Sequence, residues 1–275
     1  MTLTQLVDQI YKKQSFLCIG LDPDPSRFPS YFGKDADSAY NFLEAIIEAT
    51  HDLCVAYKPN LAFFEAYGYE GWELLERVLT LIPEEHFVIA DAKRGDIGNT
   101  SQKYAKAFYD HLDCDALTVA PYMGSDSVVP FLGQKEKWLL LLGLTSNTGS
   151  EDFQMKKMAN GRYLYEEVLY TAKEWGTPEQ LMFVIGATHP ESFQNIRTIL
   201  PDHFFLVPGV GAQGGSLAAV CEYGMNDQVG LLVNSSRGIL YAANDRTFAD
   251  AARAAAKEMQ GEMAKILSSA TFKSP

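Results

Sequence analysis

His86-Phe-Val-Ile-Ala-Asp-Ala-Lys93, then Arg94-Gly-Asp96, then the helical pattern Thr100–His111, is the stretch that decides the fold. A mainly apolar run of strand length ends in charge, a glycine turn follows, and an amphipathic segment comes next. That is one β-α unit. Seven more runs of the same kind lie at Phe16–Asp22, Cys54–Asn60, Ala116–Pro121, Trp138–Thr145, Leu181–Thr188, Phe204–Gly211 and Val229–Ser235. Several are almost unbroken in apolar residues, as in Leu139-Leu140-Leu141-Leu142 and Met182-Phe183-Val184-Ile185. Parallel strands covered on both faces need that composition. Helical periodicity fills the spaces between, for example at Ser38–Cys54, Gly71–Ile82 and Gly161–Trp175. Eight such units in about 240 residues favour a closed barrel over an open sheet. The expected fold class is therefore α/β, a single (β/α)8 TIM barrel. It would occupy residues 1–275 as one domain, with a helix at each end: one near residues 1–14, the other the Ala-rich Phe248–Leu267. The longest connection, Asn147 to Glu179, is expected to carry an insertion over the barrel mouth.

The chain has 275 residues, 47% of them hydrophobic, and a formal charge of −12. That charge would repel nucleic acid and anionic membranes, so neither is an expected partner. No apolar run approaches the roughly 20 residues needed to span a bilayer, and the first residues lack the apolar stretch of a signal peptide. A cytoplasmic protein is expected. Cys18, Cys54, Cys114 and Cys221 form no CxxC pair and read as buried, reduced thiols. The histidines, at 51, 86, 111, 189 and 203, show no metal-binding spacing, and only His189 falls at the C-terminal end of a strand run. No metal site is expected.

Polar groups gather where the strand runs end: Asp22, Lys58, Asp91 with Lys93, Thr145-Ser146-Asn147, Thr188-His189, residues Gly209–Gly215, and Ser235-Ser236-Arg237. In a (β/α)8 barrel those ends form the face that carries active sites. Alternation along a strand sends Asp91 and Lys93 to the same side. With Lys58 on the adjacent strand and Asp96 beyond the turn, the charges form an alternating Lys–Asp–Lys–Asp array. A structural ion-pair network is the plain alternative. Four charges facing a barrel interior are costly to desolvate, which favours a catalytic use. The second cluster is Pro208-Gly-Val-Gly-Ala-Gln213-Gly214-Gly215, closing the seventh run and opening a helix. Glycines admit an oxyanion close to backbone, and Arg237 at the end of the eighth run adds a permanent, forked cation. Together they read as a phosphate clamp, in the place this barrel commonly puts one.

These residues resemble the orotidine 5′-phosphate decarboxylase family. The segment Phe87–Thr100 carries an Asp-x-Lys-x-x-Asp signature. Around it stand Gly20-Leu-Asp22-Pro, Tyr57-Lys58-Pro-Asn60, Leu144-Thr-Ser146-Asn, Val207-Pro-Gly-Val-Gly-Ala-Gln213 and Ser235-Ser-Arg237-Gly, in order from about residue 15 to 245. In length and in Asp-Ala-Lys-Arg-Gly-Asp the chain is similar to the longer bacterial subgroup. The resemblance implies decarboxylation of orotidine 5′-phosphate to UMP in pyrimidine synthesis, with no metal or organic cofactor.

It also implies roles. Asp22 and Lys58 would bind the ribose hydroxyls, Asp91 would oppose the scissile carboxylate, and Lys93 would protonate C6. Asp96, Ile97 and Thr100 would enter the site of a second subunit, which implies a homodimer with shared sites. Ser146 would read the pyrimidine edge. Gln213 and Arg237 would hold the phosphate, with Pro208 and Gly214 in the same loop. Ser235-Ser236 stand where shorter members have a glycine, so a Ser236 hydroxyl is expected to replace a backbone contact. The competing reading is a phosphate-binding barrel with the same Asp-x-Lys-x-x-Asp array: a Mg2+-dependent sugar-phosphate decarboxylase or an aldolase-like synthase. From another class, a catalytically inert nucleotide-binding barrel is possible; the intact charged array argues against it.

Overall fold

The computed structural model describes residues 1–188, 190–211 and 214–269. Its eight parallel strands follow chain order around a closed barrel: β1 Leu17–Leu21, β2 Ala56–Pro59, β3 Phe87–Arg94, β4 Ala116–Val119, β5 Trp138–Leu144, β6 Leu181–Ile185, β7 Phe205–Pro208 and β8 Leu231–Ser235. All eight expected runs are strands, so the expected TIM barrel is the observed one. Most are shorter than their apolar runs. Asp22, Asn60, Thr145, Thr188 and Gly211 fall past the last ladder residue, where the chain leaves the sheet. Thr100–His111 also differs from a plain α-helix: Gly98–Ala105 is α-helical and Lys106–His111 is a π-helical turn. No described helix is long and apolar enough to cross a membrane.

Contacts divide the chain into two compact units. The first holds Gln5–Ala92 and the described residues from Asn234 to Ser269. There β1 pairs with β2 in register Cys18↔Ala56 to Leu21↔Pro59, and Ala56 and Tyr57 face Phe87 and Val88 of β3. The helix Ala36–Thr50 begins at Asp35, whose carboxylate accepts from the Ser38 N–H at 2.8 Å, satisfying a backbone donor that the helix leaves open. Phe42 on this helix stacks with Phe28 and Phe248, centroids 4.6 and 5.2 Å apart. These rings anchor the outer helices to each other.

The second unit holds Met1–Thr4 and Lys93–Val233. Here β5 pairs with β4 and β6, and its register with β6 shifts between Leu142 and Leu144. Gly143 sits at that shift because an added Cβ would fall 2.9 Å from Ile185 Cδ1 and 3.0 Å from Leu169 Cδ2. Arg197 fastens this unit from below: its guanidinium donates to the carbonyls of Leu200, His203 and Gly224 and lies 3.8 Å from the Phe205 ring centroid. All four cysteines are buried and unbonded to one another. Burial pushes the Cys54, Cys114 and Cys221 thiols up to about 12, so they act as small apolar side chains, as expected.

Candidate active site

In the first unit the site begins with Lys58 and Asp91. Register places Lys58 opposite Gly20, and Asn60 forms a bridge to Asp91 while its N–H donates to the Leu21 carbonyl at 3.2 Å. The ends of β1, β2 and β3 are thus tied together by backbone. Across that frame Lys58 Nζ donates to Asp91 Oδ2 at 2.7 Å, with 5% and 9% of the two residues exposed. Burial by itself pushes the Lys58 ammonium towards its neutral form. The Asp91 carboxylate, and behind it Asp22, more than reverse this and hold its pKa above the ordinary lysine value. Lys58 therefore stays charged in a nearly dry setting, and a buried ion pair of this kind is costly to desolvate. Asp22 itself is half-buried just past β1.

The same unit carries the end of β8. Asn234 and Ser235 are buried, and Asn234 Oδ1 has no hydrogen-bond partner among the described residues. Asn234 Nδ2 donates to Ser236 Oγ at 3.4 Å. Ser236 packs tightly on β1, since a Cβ at Gly20 would lie 1.8 Å from Ser236 Oγ. Arg237 opens a one-turn helix and is exposed, so its cation is available to a ligand.

The second unit supplies Lys93, the seventh residue of β3. Lys93 has φ +46°, and its N–H donates to Oγ1 of the buried Thr118 at 2.9 Å. Left-handed backbone is uncommon for a non-glycine residue, and Lys93 is exposed at this end of β3. Strain at a non-glycine residue is a mark of functional positions. The next turn is pinned from both sides: Ala120 N–H donates to the Arg94 carbonyl at 2.9 Å, and the Arg94 guanidinium lies 5.5 Å from the Tyr104 ring centroid. Asp96 is half-buried, and its Oδ1 accepts from the Ile97 N–H at 2.8 Å. Of the four charges expected, Lys58 and Asp91 form a direct pair, Lys93 is exposed, and Asp96 accepts from the N–H of its own neighbour. Ile97 and Thr100 are exposed.

Also in this unit, Ser146 is half-buried past β5. Gly186 lets it approach, because a Cβ there would fall 2.6 Å from the Ser146 N. Gln154 braces the same strand end through Thr145, accepting from its N–H and donating to its Oγ1, both at 2.8 Å. Pro208 ends β7, and its carbonyl accepts from the Ala187 N–H at 2.9 Å. The glycine loop that follows uses three positive-φ residues, Gly209, Gly211 and Gly214. The N–H groups of Gly211, Gly214 and Gly215 donate to the Gly215, Gly211 and Gly209 carbonyls within the loop. Gln213 and His189 lie outside the described residues. The described residues bring no three metal-ligating side chains together.

Thr118, Asn60 and Asn234 were not among the expected site residues. Each is an ordinary polar residue in or just past a strand; burial marks Thr118 and Asn234, and the bridge to Asp91 marks Asn60.

Known proteins are similar to this chain in sequence and in fold. Residues 15–252 match the family described as Orotidine 5′-phosphate decarboxylase / HUMPS family. A protein of Bacteroides fragilis named orotidine 5′-phosphate decarboxylase is 54% identical over 270 residues, covering 97% of this chain and 98% of that one. Its namesake in Flavobacterium johnsoniae is 56% identical over 272 residues, 98% and 99% of the two chains. The solved OMP decarboxylase of Leishmania donovani superposes with a TM-score of 0.86 at 40% identity, covering 98% of this chain and all of that one. With near-complete coverage at such identity, the chain belongs to the orotidine 5′-phosphate decarboxylase family.

Proposed function

We propose that this chain is a carboxy-lyase that converts orotidine 5′-phosphate to UMP and CO2 in pyrimidine synthesis, using its own side chains and no metal or organic cofactor. The observation that carries the reading is the dry Lys58–Asp91 ion pair at 2.7 Å, two residues before Lys93 on one strand. Breaking the C6–carboxylate bond leaves its electron pair on a ring carbon with no carbonyl placed to accept it. Asp91 raises the starting state: two like charges about 4 Å apart repel by about 4 kcal/mol at an effective dielectric of about 20. That repulsion vanishes as CO2 departs neutral. The Lys93 ammonium is a preformed cation for the developing charge and then transfers its proton to C6. Lys58 keeps Asp91 ionised and, with Asp22, holds the ribose hydroxyls. Ser146 reads the pyrimidine edge. Arg237, Gln213 and the Pro208–Gly214 loop hold the phosphate, with Ser236 braced beside Arg237. Energy from that remote grip holds the substrate carboxylate against Asp91.

The active form is a homodimer in which Asp96, Ile97 and Thr100 complete the partner's site. Support comes from the apolar surface beside them. Ile97 is 57% and Tyr122 90% exposed, and the Gly95 turn comes within contact distance of Met123. A cytoplasmic location fits the four unpaired thiols, and the charge of −12 fits a small-molecule substrate rather than nucleic acid or a membrane. The test is to add orotidine 5′-phosphate to metal-stripped protein and follow loss of its absorbance, with sedimentation of the same sample. Turnover unaffected by EDTA, by a particle of two chains, is expected. Strict dependence on added Mg2+ would overturn the cofactor-free reading, and a fully active monomer would overturn the shared site.

A further inference from the structure

Tyr241, just past the one-turn helix Arg237–Leu240, has a place in both halves of the ligand grip proposed above. Its backbone N–H donates to the Arg237 carbonyl at 3.2 Å, closing the turn that Arg237 opens. Its hydroxyl donates to the Asp22 carbonyl at 2.6 Å and accepts from the Asp24 N–H at 2.7 Å. Both polar valences of the phenol are thus spent on the Asp22-Pro-Asp24 backbone. Prolines at 23 and 25 stiffen that segment further. The ring cannot drift, because Phe42 stacks on it with planes 14° apart and the Arg27 guanidinium lies 4.4 Å from its centroid. Nearby, the contact of Ser236 with Gly20 leaves no slack between the end of β8 and β1.

We propose that Tyr241 is a positioning residue that fixes the Asp22 carboxylate relative to the Arg237 cation, so that one ligand is gripped at its sugar and its phosphate in a set spacing. Burial raises the phenol pKa, which keeps the hydroxyl a donor across the working range. A misplaced binding group can cost far more in turnover than one hydrogen bond costs in stability. The inference rests on the proposed placement of Asp22 and Arg237 against substrate.

Tyr241→Phe keeps the ring, its stacking and the backbone bond to Arg237, and removes only the two hydroxyl bonds. The expected result is a fall of about tenfold in kcat/KM for orotidine 5′-phosphate, with competitive inhibition by inorganic phosphate changed less than about twofold. In an Asp22→Ala background the same substitution should cost less than about twofold, because the group it positions is gone. A full tenfold loss in that background, no loss in the parent, or phosphate inhibition weakened in parallel would overturn the proposal. If Asp22→Ala by itself leaves kcat/KM unchanged, the placement of Asp22 fails first and this inference falls with it. UMP binding gives a readout independent of turnover: Tyr241→Phe should weaken it by about tenfold, and unchanged UMP affinity would count against the strap.

Discussion

A lysine is held beside each end of β2 and β3, Lys58 buried and Lys13 half-buried, and the two contacts are opposites. At the C-terminal end Lys58 meets a carboxylate, Asp91, and its pKa is driven up despite burial. At the N-terminal end Lys13 donates to the carbonyls of His51 and Cys54, at 2.8 and 3.0 Å, and its Nζ lies 2.7 Å from His86 Nε2. No described carboxylate forms a salt bridge with Lys13, and burial lowers its pKa. The His86 pKa is lowered too, by burial and then by Lys13. Neutral acceptors tie the outer helix Leu3–Lys13 to the sheet with little stored charge. The upper pair concentrates two full charges where a simple fold would place apolar residues. The difference separates an end built for stability from an end built for chemistry.

The largest effect expected of that division is at Lys93. Lys93→Ala should fold with an unchanged melting temperature and lose at least about 10³-fold in kcat, as removal of a proton donor and preformed cation together would. Activity within tenfold of the parent would erase the distinction between the two ends. Next comes the pair itself. Asp91→Asn leaves Lys58 buried without its counter-charge and should cost about 3 kcal/mol of stability or more. The double variant Lys58→Met with Asp91→Leu should regain parental stability in urea titration yet remain inactive. A double variant much less stable than the parent would show that the upper pair is structural after all. Arg237→Ala should lower kcat/KM by roughly 100-fold, through kcat as well as KM; a change below about twofold would remove the clamp from the upper end.

The smallest effect belongs to the lower end. His86→Gln should leave kcat/KM within about twofold and alter only the pH dependence of stability. The folded protein holds the His86 pKa below its ordinary 6.5, so the unfolded chain binds more protons between the lowered value and 6.5. Stability from the neutral ring is complete above 6.5 and lost as pH falls through the folded value. Melting temperatures from pH 7 to pH 4.5 should therefore drop more for the parent than for His86→Gln, and equal drops would place the sensitive group elsewhere.

Much of this was legible before any tertiary contact was known. Apolar period and run length are local properties, so eight strands and their alternating helices could be counted from residues 16 to 235. Chemistry at the strand ends was legible as well, since charge directly after an unbroken apolar run is itself a local signal. The Arg94-Gly-Asp96 turn and the Gly209–Gly215 loop announced themselves by glycine for the same reason. What could not be seen was how the loops spend their hydrogen bonds. The N–H groups of Gly211, Gly214 and Gly215 bond within their own loop, and Asp96 accepts from the Ile97 N–H; sequence spacing gives no account of either choice. Nor does local pattern foretell the left-handed backbone at Lys93.

By itself, the sequence determined the barrel, the identity of the charged groups and the family, because each is written in short-range pattern. Only the tertiary structure decided which charge meets which, that Thr118 receives the Lys93 backbone, that Asn234 carries a buried acceptor, and that Tyr241 holds Asp22 from 219 residues away. Such choices depend on hydrogen-bond geometry between segments that meet only when the sheet closes, and no local periodicity encodes them.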